Sequence, residues 1–240
     1  MNAVQRVESL YGDEDPRLLP SYGMAEAAHY LRIPRSALRS WVLGHHYRTG
    51  AGRGFFEPVI APASRGPTLL SFMNLVEAHV LDAIRQQHDV HLQRIREALL
   101  SLEQQFPSKH PLAEESFETV GKDLFVERLG HLINISRASQ LAVRELLLAH
   151  LRRIERDRSG TPRRLYPFTR NRQPDEPRLV VIDPLVSFGR PVISGTGIPT
   201  VTIAERYKAG ESIDDLAGDY DRQRAEIEEA IRCELEIAAT

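Results

Sequence analysis

The sequence predicts a mainly α-helical protein with short β hairpins, divided into several small units. Apolar residues recur at helical spacing in successive short stretches. Glycine, proline, serine and aspartate interrupt those stretches often, which favours small units over one long bundle. The 240 residues are 42% hydrophobic and 27% charged, the composition of an ordinary globular protein of one to three domains.

Residues Gly23 to Trp41, GMAEAAHYLRIPRSALRSW, organise the front. Gly23 is placed as an N-cap, and Glu26 stands where its carboxylate can return a hydrogen bond to the freed backbone. Met24, Ala27, Ala28 and Leu31 form one apolar face. Arg32-Ile33-Pro34 breaks the run, because proline suits the first turn of a helix but not its interior. The second helix turns Ala37, Leu38 and Trp41 inward, leaves Arg35, Ser36, Arg39 and Ser40 outward, and ends at Gly44. This is the helix-turn-helix pattern, with Arg35, Ser36, Arg39 and Ser40 as candidate DNA contacts. A helical hairpin with solvated arginines is the alternative.

Charge is unevenly spread around a net of −2. Residues 17–65 hold seven arginines against two glutamates, 151–178 hold nine arginines against four acids, and 205–240 hold eleven acids against five bases. A basic front and an acidic rear suit a protein that touches nucleic acid with one end and another partner with the other.

Taken in order, residues 1–20 lack periodicity and read as a flexible arm, without the pattern of a signal peptide. After the helix pair, Gly50, Gly52 and Gly54 allow a tight turn, and Phe55, Val59 and Ile60 suit short strands. A turn bearing Arg48 and Arg53 would form a wing that contacts phosphates; a loop is the alternative. Residues 68–87 are expected as a helix with the stripe Phe72, Leu75, Val76, Val80, Ala83 and Ile84. A second helix follows from about His91 to Gln105.

Residues 22–103 resemble the DNA-binding domain of the MerR family. The resemblance rests on Leu31 to Trp41 and on Val90 to Leu99 (VHLQRIREAL), and it implies a winged helix-turn-helix at 21–106. Pro34 departs from the family pattern, which usually offers Ser or Thr as the cap.

Residues 107–158 are expected to hold a small β meander, with turns at Gly121-Lys122-Asp123 and Leu129-Gly130-His131, then a long helix over 136–158. The apolar helices at 68–86 and 137–156 are candidate dimer interfaces. Residues 159–178 read as an Arg- and Pro-rich linker. Its Arg163, Arg164, Tyr166, Phe168, Arg170 and Arg172 are candidate partner-binding residues, for RNA or an acidic protein groove.

Residues 179–240 form the last unit. Leu179 to Ile182 is strand-like, Gly189 to Pro199 is turn-rich, and three helices follow, capped at Thr202, Ser212 and Asp221. Ile203, Tyr207, Ile213, Leu216, Ala217, Tyr220, Ile227, Ala230 and Ile231 are its expected core. Gly189 to Pro199, Ala209 to Ala217 and Glu228 to Ile231 closely resemble a small bacterial and archaeal domain of unnamed function. That resemblance implies a homeodomain-type unit of VapB-type antitoxins, whose toxins are PIN-fold ribonucleases.

No catalytic residue, metal site or cofactor motif is found. His88 and His91 have H-x-x-H spacing but straddle a helix break without a third ligand. Gly195-Thr196-Gly197 lacks the lysine of a phosphate loop. Cys233 is the single cysteine, so no internal disulfide forms. No apolar run reaches the roughly 18 residues of a membrane span.

The expected function, on both resemblances, is a cytoplasmic, non-enzymatic antitoxin. It would bind its operator DNA as a dimer, repress its own operon and neutralise a PIN-type ribonuclease toxin in a hetero-oligomer. A stand-alone MerR-like regulator without a toxin, and an RNA-modifying enzyme, are the alternatives.

Overall fold

A computed structural model of the chain describes residues 14–49, 52–86, 92–105, 107–133, 137–170, 172–173 and 175–235. Helices hold 51% of it, so the molecule is mainly α with short sheets. His88 and His91 lie outside the described residues, as does most of the expected arm, 1–13.

The front opens with strand β1 (Tyr22–Gly23), helix α1 (Met24–Leu31) and helix α2 (Arg35–Leu43). Glu26 Oε2 accepts from the Gly23 N–H at 3.3 Å, the capping contact expected. Arg32 closes α1 in the left-handed region at φ 54°. Gly44 ends α2 at φ 71°, and an added Cβ there would collide with the Phe56 carbonyl and the Phe55 ring. Glycine is therefore needed where the chain turns into the hairpin of β2 (His45–Thr49) and β3 (Gly52–Phe56). Val59 and Ile60 are not strand residues; both backbone N–H groups bond the Trp41 carbonyl.

Strand β4 (Ser64–Arg65) and strand β5 (Thr68–Leu70) complete a small antiparallel sheet in the order β1-β5-β4. Residues 68–70 were expected in the following helix. The helix starts instead at Phe72, because the Ser71 hydroxyl accepts the Asn74 N–H and Asn74 Oδ1 accepts the Ser71 N–H. Helix α3 (Phe72–Arg85) is buried from Phe72 through Ile84. It is the axis of a core that runs from Tyr22 to Ile182.

Helix α4 (Leu92–Glu103), a π-helical turn (Phe117–Gly121), helix α5 (Lys122–Ile133) and helix α6 (Arg137–Leu151) follow. The β meander expected within 107–158 is therefore corrected: residues 117–133, which hold both expected turns, are helical. Gly130 is not a turn residue: it lies inside α5 and faces the end of the Gln140 side chain of α6. Of the expected dimer interfaces, helix α3 is enclosed by the chain itself and is corrected. In α6, Leu147 and Leu151 belong to the internal core, while Leu141 is exposed.

Strands β6 (Ile154–Arg156) and β7 (Pro162–Leu165) form a hairpin. An antiparallel bridge between Leu165 and Ile182 joins it to β8 (Val180–Val181), which pairs with β9 (Val192–Ile193). Helices α7 (Thr200–Lys208), α8 (Ile213–Tyr220) and α9 (Arg224–Glu234) close the rear. Ile193, Ile203, Leu216, Ile227, Ala230 and Ile231 fill its separate small core. Tyr207 is exposed, contrary to expectation. Ser212 caps α8 as expected, but α7 begins at Thr200 and Asp221 ends α8 in the left-handed region, leaving Gln223 to cap α9. Among the described residues, no helix is long and apolar enough to cross a membrane, and no group of three His, Cys, Asp or Glu could hold a metal ion.

Candidate nucleic-acid interface

Helix α2 buries Leu38, Trp41 and Val42 and leaves Arg35, Ser36 and Arg39 exposed. Ser40 is half-buried, and its Oγ shares a 2.6 Å hydrogen bond with His45 Nδ1. That bond ties the end of α2 to the first residue of the hairpin.

The hairpin pairs His45 with Phe56 through to Thr49 with Gly52, and so places Arg48 directly opposite Arg53. Two like charges facing each other across a ladder destabilise it, so the hairpin concentrates positive potential. Tyr47 faces Gly54, where a Cβ would strike its ring. His45 stacks on Phe56 at 5.2 Å and His46 tilts on Phe55 at 4.8 Å. Tyr47 and Phe55 are both exposed, a feature that the glycine-rich composition of the segment concealed.

Arg35, Arg39, Arg48 and Arg53 have no ion-pair or side-chain hydrogen-bond partner among the described residues. An exposed helix and an adjoining hairpin thus present four uncompensated guanidinium groups, which are suited to phosphates and to guanine edges.

The other expected site is taken apart by the structure. Residues 159–178 are not a free linker. Arg153 is fully buried, and its guanidinium donates to the carbonyls of Tyr166 (2.6 Å), Glu176 (2.9 Å), Pro167 (3.1 Å) and Pro177 (3.1 Å). Burial pushes its pKa down to about 10. The Glu176 carboxylate accepts from the backbone N–H groups of Thr169, Arg170 and Gln173. These two side chains fold the segment into an ordered strap.

The candidate partner-binding residues are spent inside it. Arg164 pairs with Asp183 at 2.9 Å and Glu155 at 3.0 Å. The Tyr166 hydroxyl donates to Glu155 at 2.9 Å. Phe168 is buried, 4.8 Å from the His150 ring and 4.5 Å from the Arg153 guanidinium. Arg170 pairs with the buried Glu229 at 2.7 Å. Arg172 Nε lies 2.9 Å from Asp82 Oδ2, and its Nη2 donates to the Arg32 carbonyl at 2.6 Å. Arg163 alone of the six lacks a partner among the described residues, and its Nε is buried. With the other five side chains anchored in this way, the segment does not form a free arm.

The front also meets the rear directly. Arg32 donates to the Arg232 carbonyl at 2.5 Å, and His29 lies 3.5 Å from Glu234. The acids of the rear are not all a solvated face either: Glu229 is completely buried and accepts from Thr169.

A helix pair with a basic hairpin, joined to a small three-helix domain, is the architecture of a helix-turn-helix protein with an added C-terminal unit. Comparison with known proteins agrees. Residues 20–99 match a family described as a putative DNA-binding HTH domain, and residues 180–232 match the protein of unknown function family DUF433. The chain is 30% identical to the putative antitoxin VapB45 of Mycobacterium tuberculosis over 87% of this chain and 92% of that protein. It is 27% identical to the uncharacterized protein Rv2308 of the same organism over 88% of each chain. Its fold is similar to the crystal structure of Rv2018 from Mycobacterium tuberculosis, with a TM-score of 0.65 and 25% identity, covering 89% of this chain and 98% of that one. The chain belongs to the family of the putative antitoxin VapB45.

Proposed function

We propose that this chain is the antitoxin of a type II toxin–antitoxin pair. It binds its operator through α2 and the β2–β3 hairpin, represses its own operon, and neutralises a PIN-type ribonuclease. The observation that carries the DNA half is the set of uncompensated arginines, Arg35, Arg39, Arg48 and Arg53, on one helix and its adjoining hairpin. The order α1, α2, hairpin, α3, α4 supports a MerR-like winged arrangement, and three short helices around one small core support a homeodomain-like rear. The toxin half is supported by the relative's name and by the resemblance of the rear. The reading includes a cytoplasmic chain without catalytic residues or cofactor, acting as a dimer, because one helix pair makes few base contacts and paired half-sites supply more.

Two measurements test it. A mobility shift on the DNA upstream of the gene should show salt-sensitive binding by the full chain. Co-expression with the neighbouring gene should give a complex whose ribonuclease activity returns when the antitoxin is removed. Binding to all DNA alike would remove the operator assignment, and a neighbour that neither binds nor cleaves RNA would remove the toxin assignment.

A further inference from the structure

Three consecutive residues in the rear lie in the left-handed region: Ser187 at φ 48°, Phe188 at φ 55° and Gly189 at φ 75°. L-residues enter this region at a cost and normally singly, so Ser187 and Phe188 together are strained. The surroundings hold them there. Gly189 N–H donates to the Val186 carbonyl at 3.0 Å, Ser187 Oγ to the Gly197 carbonyl at 3.2 Å, and the Tyr22 hydroxyl to the Gly189 carbonyl at 3.0 Å. The result is a Phe188 ring that is 73% exposed. Single exposed apolar side chains are ordinary on protein surfaces; one held out by a strained turn points to a use.

That ring borders a cleft of about 180 Å³ lined by Pro16, Tyr22, Glu26, Pro184 and Arg190. The Arg190 guanidinium is exposed and makes no ion pair or side-chain hydrogen bond among the described residues, its charge acting only at longer range on the Tyr30 hydroxyl. The Glu26 oxygens are already engaged by the Gly23 N–H and the Tyr30 hydroxyl. The neighbouring acids Asp15 and Asp183 are paired with Arg17 and Arg164. The volume lies below the roughly 300–1,000 Å³ of small-molecule sites, and fits one or two anchoring side chains of a larger partner. Among the described residues lining the cleft, a polyanion would meet Arg190 as the one cation, beside the Glu26 carboxylate, unlike the row of arginines on α2 and the hairpin.

We propose that this cleft is where the toxin docks, by laying an apolar or proline side chain against Phe188 and Pro184 and a carboxylate on Arg190. The proposal rests on the antitoxin reading. Its test uses the full chain and the purified product of the neighbouring gene, titrated by calorimetry. Phe188→Gly should weaken binding by about tenfold or more, while raising the melting temperature of the free chain, since glycine adopts the left-handed region without strain. Arg190→Ala should weaken binding to a similar degree and leave the melting temperature unchanged. Ser187→Gly, which relieves the left-handed backbone but gives up the hydroxyl bond to Gly197, should leave binding intact. A wild-type chain that binds while Phe188→Gly and Arg190→Ala bind equally well overturns the cleft alone. A wild-type chain that does not bind overturns the antitoxin reading and the cleft with it. Loss of operator binding in Arg190→Ala would assign the cleft to DNA, and a change in the mass of the free chain would assign it to a second copy; either result also overturns the proposal.

Discussion

The Tyr22 hydroxyl donates a 3.0 Å hydrogen bond to the Gly189 carbonyl across 167 residues of chain. Tyr22 begins the front sheet, and Gly189 ends the strained turn of the rear. The contact is close enough that a Cβ on Gly189 would strike the Tyr22 hydroxyl. Both the tyrosine and the missing side chain are therefore required where the two ends of the chain meet.

Gly189→Ala should accordingly destabilise the chain by about 2 kcal/mol or more, from the positive φ and the collision together. Tyr22→Phe should cost about 1 kcal/mol, the loss of one buried hydrogen bond. Urea unfolding checks both, and a Gly189→Ala protein as stable as the parent would show that the two ends do not meet in this way.

Arg153 makes a second joint. Its guanidinium collects four carbonyls from 166–177. Arg153→Met keeps most of the packing volume but leaves those carbonyls without a donor, so a loss of about 3 kcal/mol or more is expected. Arg153→Lys should not restore it, because an ammonium cannot reproduce the planar fork. Limited proteolysis should then cut within 159–178 first. Unchanged resistance there would mean that the strap is held by something else.

The sequence made the helix pair, its caps at Gly23 and Gly44, and the three-helix rear legible, since each is set by local spacing and by residues a few positions apart. What it hid were long-range partners. Gly130 reads as a turn because glycine usually is one; it lies inside α5, facing Gln140 of the next helix. Arg164, Arg170 and Arg172 read as free charges because their acids, Asp183, Glu229 and Asp82, lie far away along the chain. The same absence of local signal conceals Phe188, whose exposure depends on a backbone turn that no side-chain pattern encodes.

A buried histidine makes stability depend on pH. Burial, together with the charge of His150, holds the His79 pKa well below its usual 6.5, so His79 stays neutral in the folded chain. The unfolded chain binds the extra proton near pH 6.5. Stability is therefore full above that pH and is lost as pH falls below it, at up to about 1.4 kcal/mol per unit. His110 acts oppositely: burial lowers its pKa, but the hydrogen bond and charge of Glu77 outweigh this and raise it, so its contribution is lost as pH rises. The two are separated by His79→Phe, which keeps a ring against Phe168. Its stability should fall less between pH 7 and pH 5 than that of the parent; an identical slope would mean that His79 is not the group responsible.

The hairpin offers the sharpest test of the nucleic-acid face, because its two arginines oppose each other in the free chain. Arg48 and Arg53 are directly cross-strand, a like-charge pair that costs a few tenths of a kcal/mol in the absence of an anion. Arg48→Thr removes the repulsion and places a good strand former in β2, so the free chain should become slightly more stable. The same change removes a phosphate contact, so DNA binding should weaken for all sequences alike, and the slope of log affinity against log salt should fall by about 1. Arg39→Ala on α2 should behave differently: a cost of about 1–3 kcal/mol confined to the operator if Arg39 reads a base edge. Mobility shifts on operator and scrambled DNA at several salt concentrations separate the two effects. Operator affinity unchanged in both variants would mean that α2 and the hairpin are not the DNA-binding face, whatever their charge.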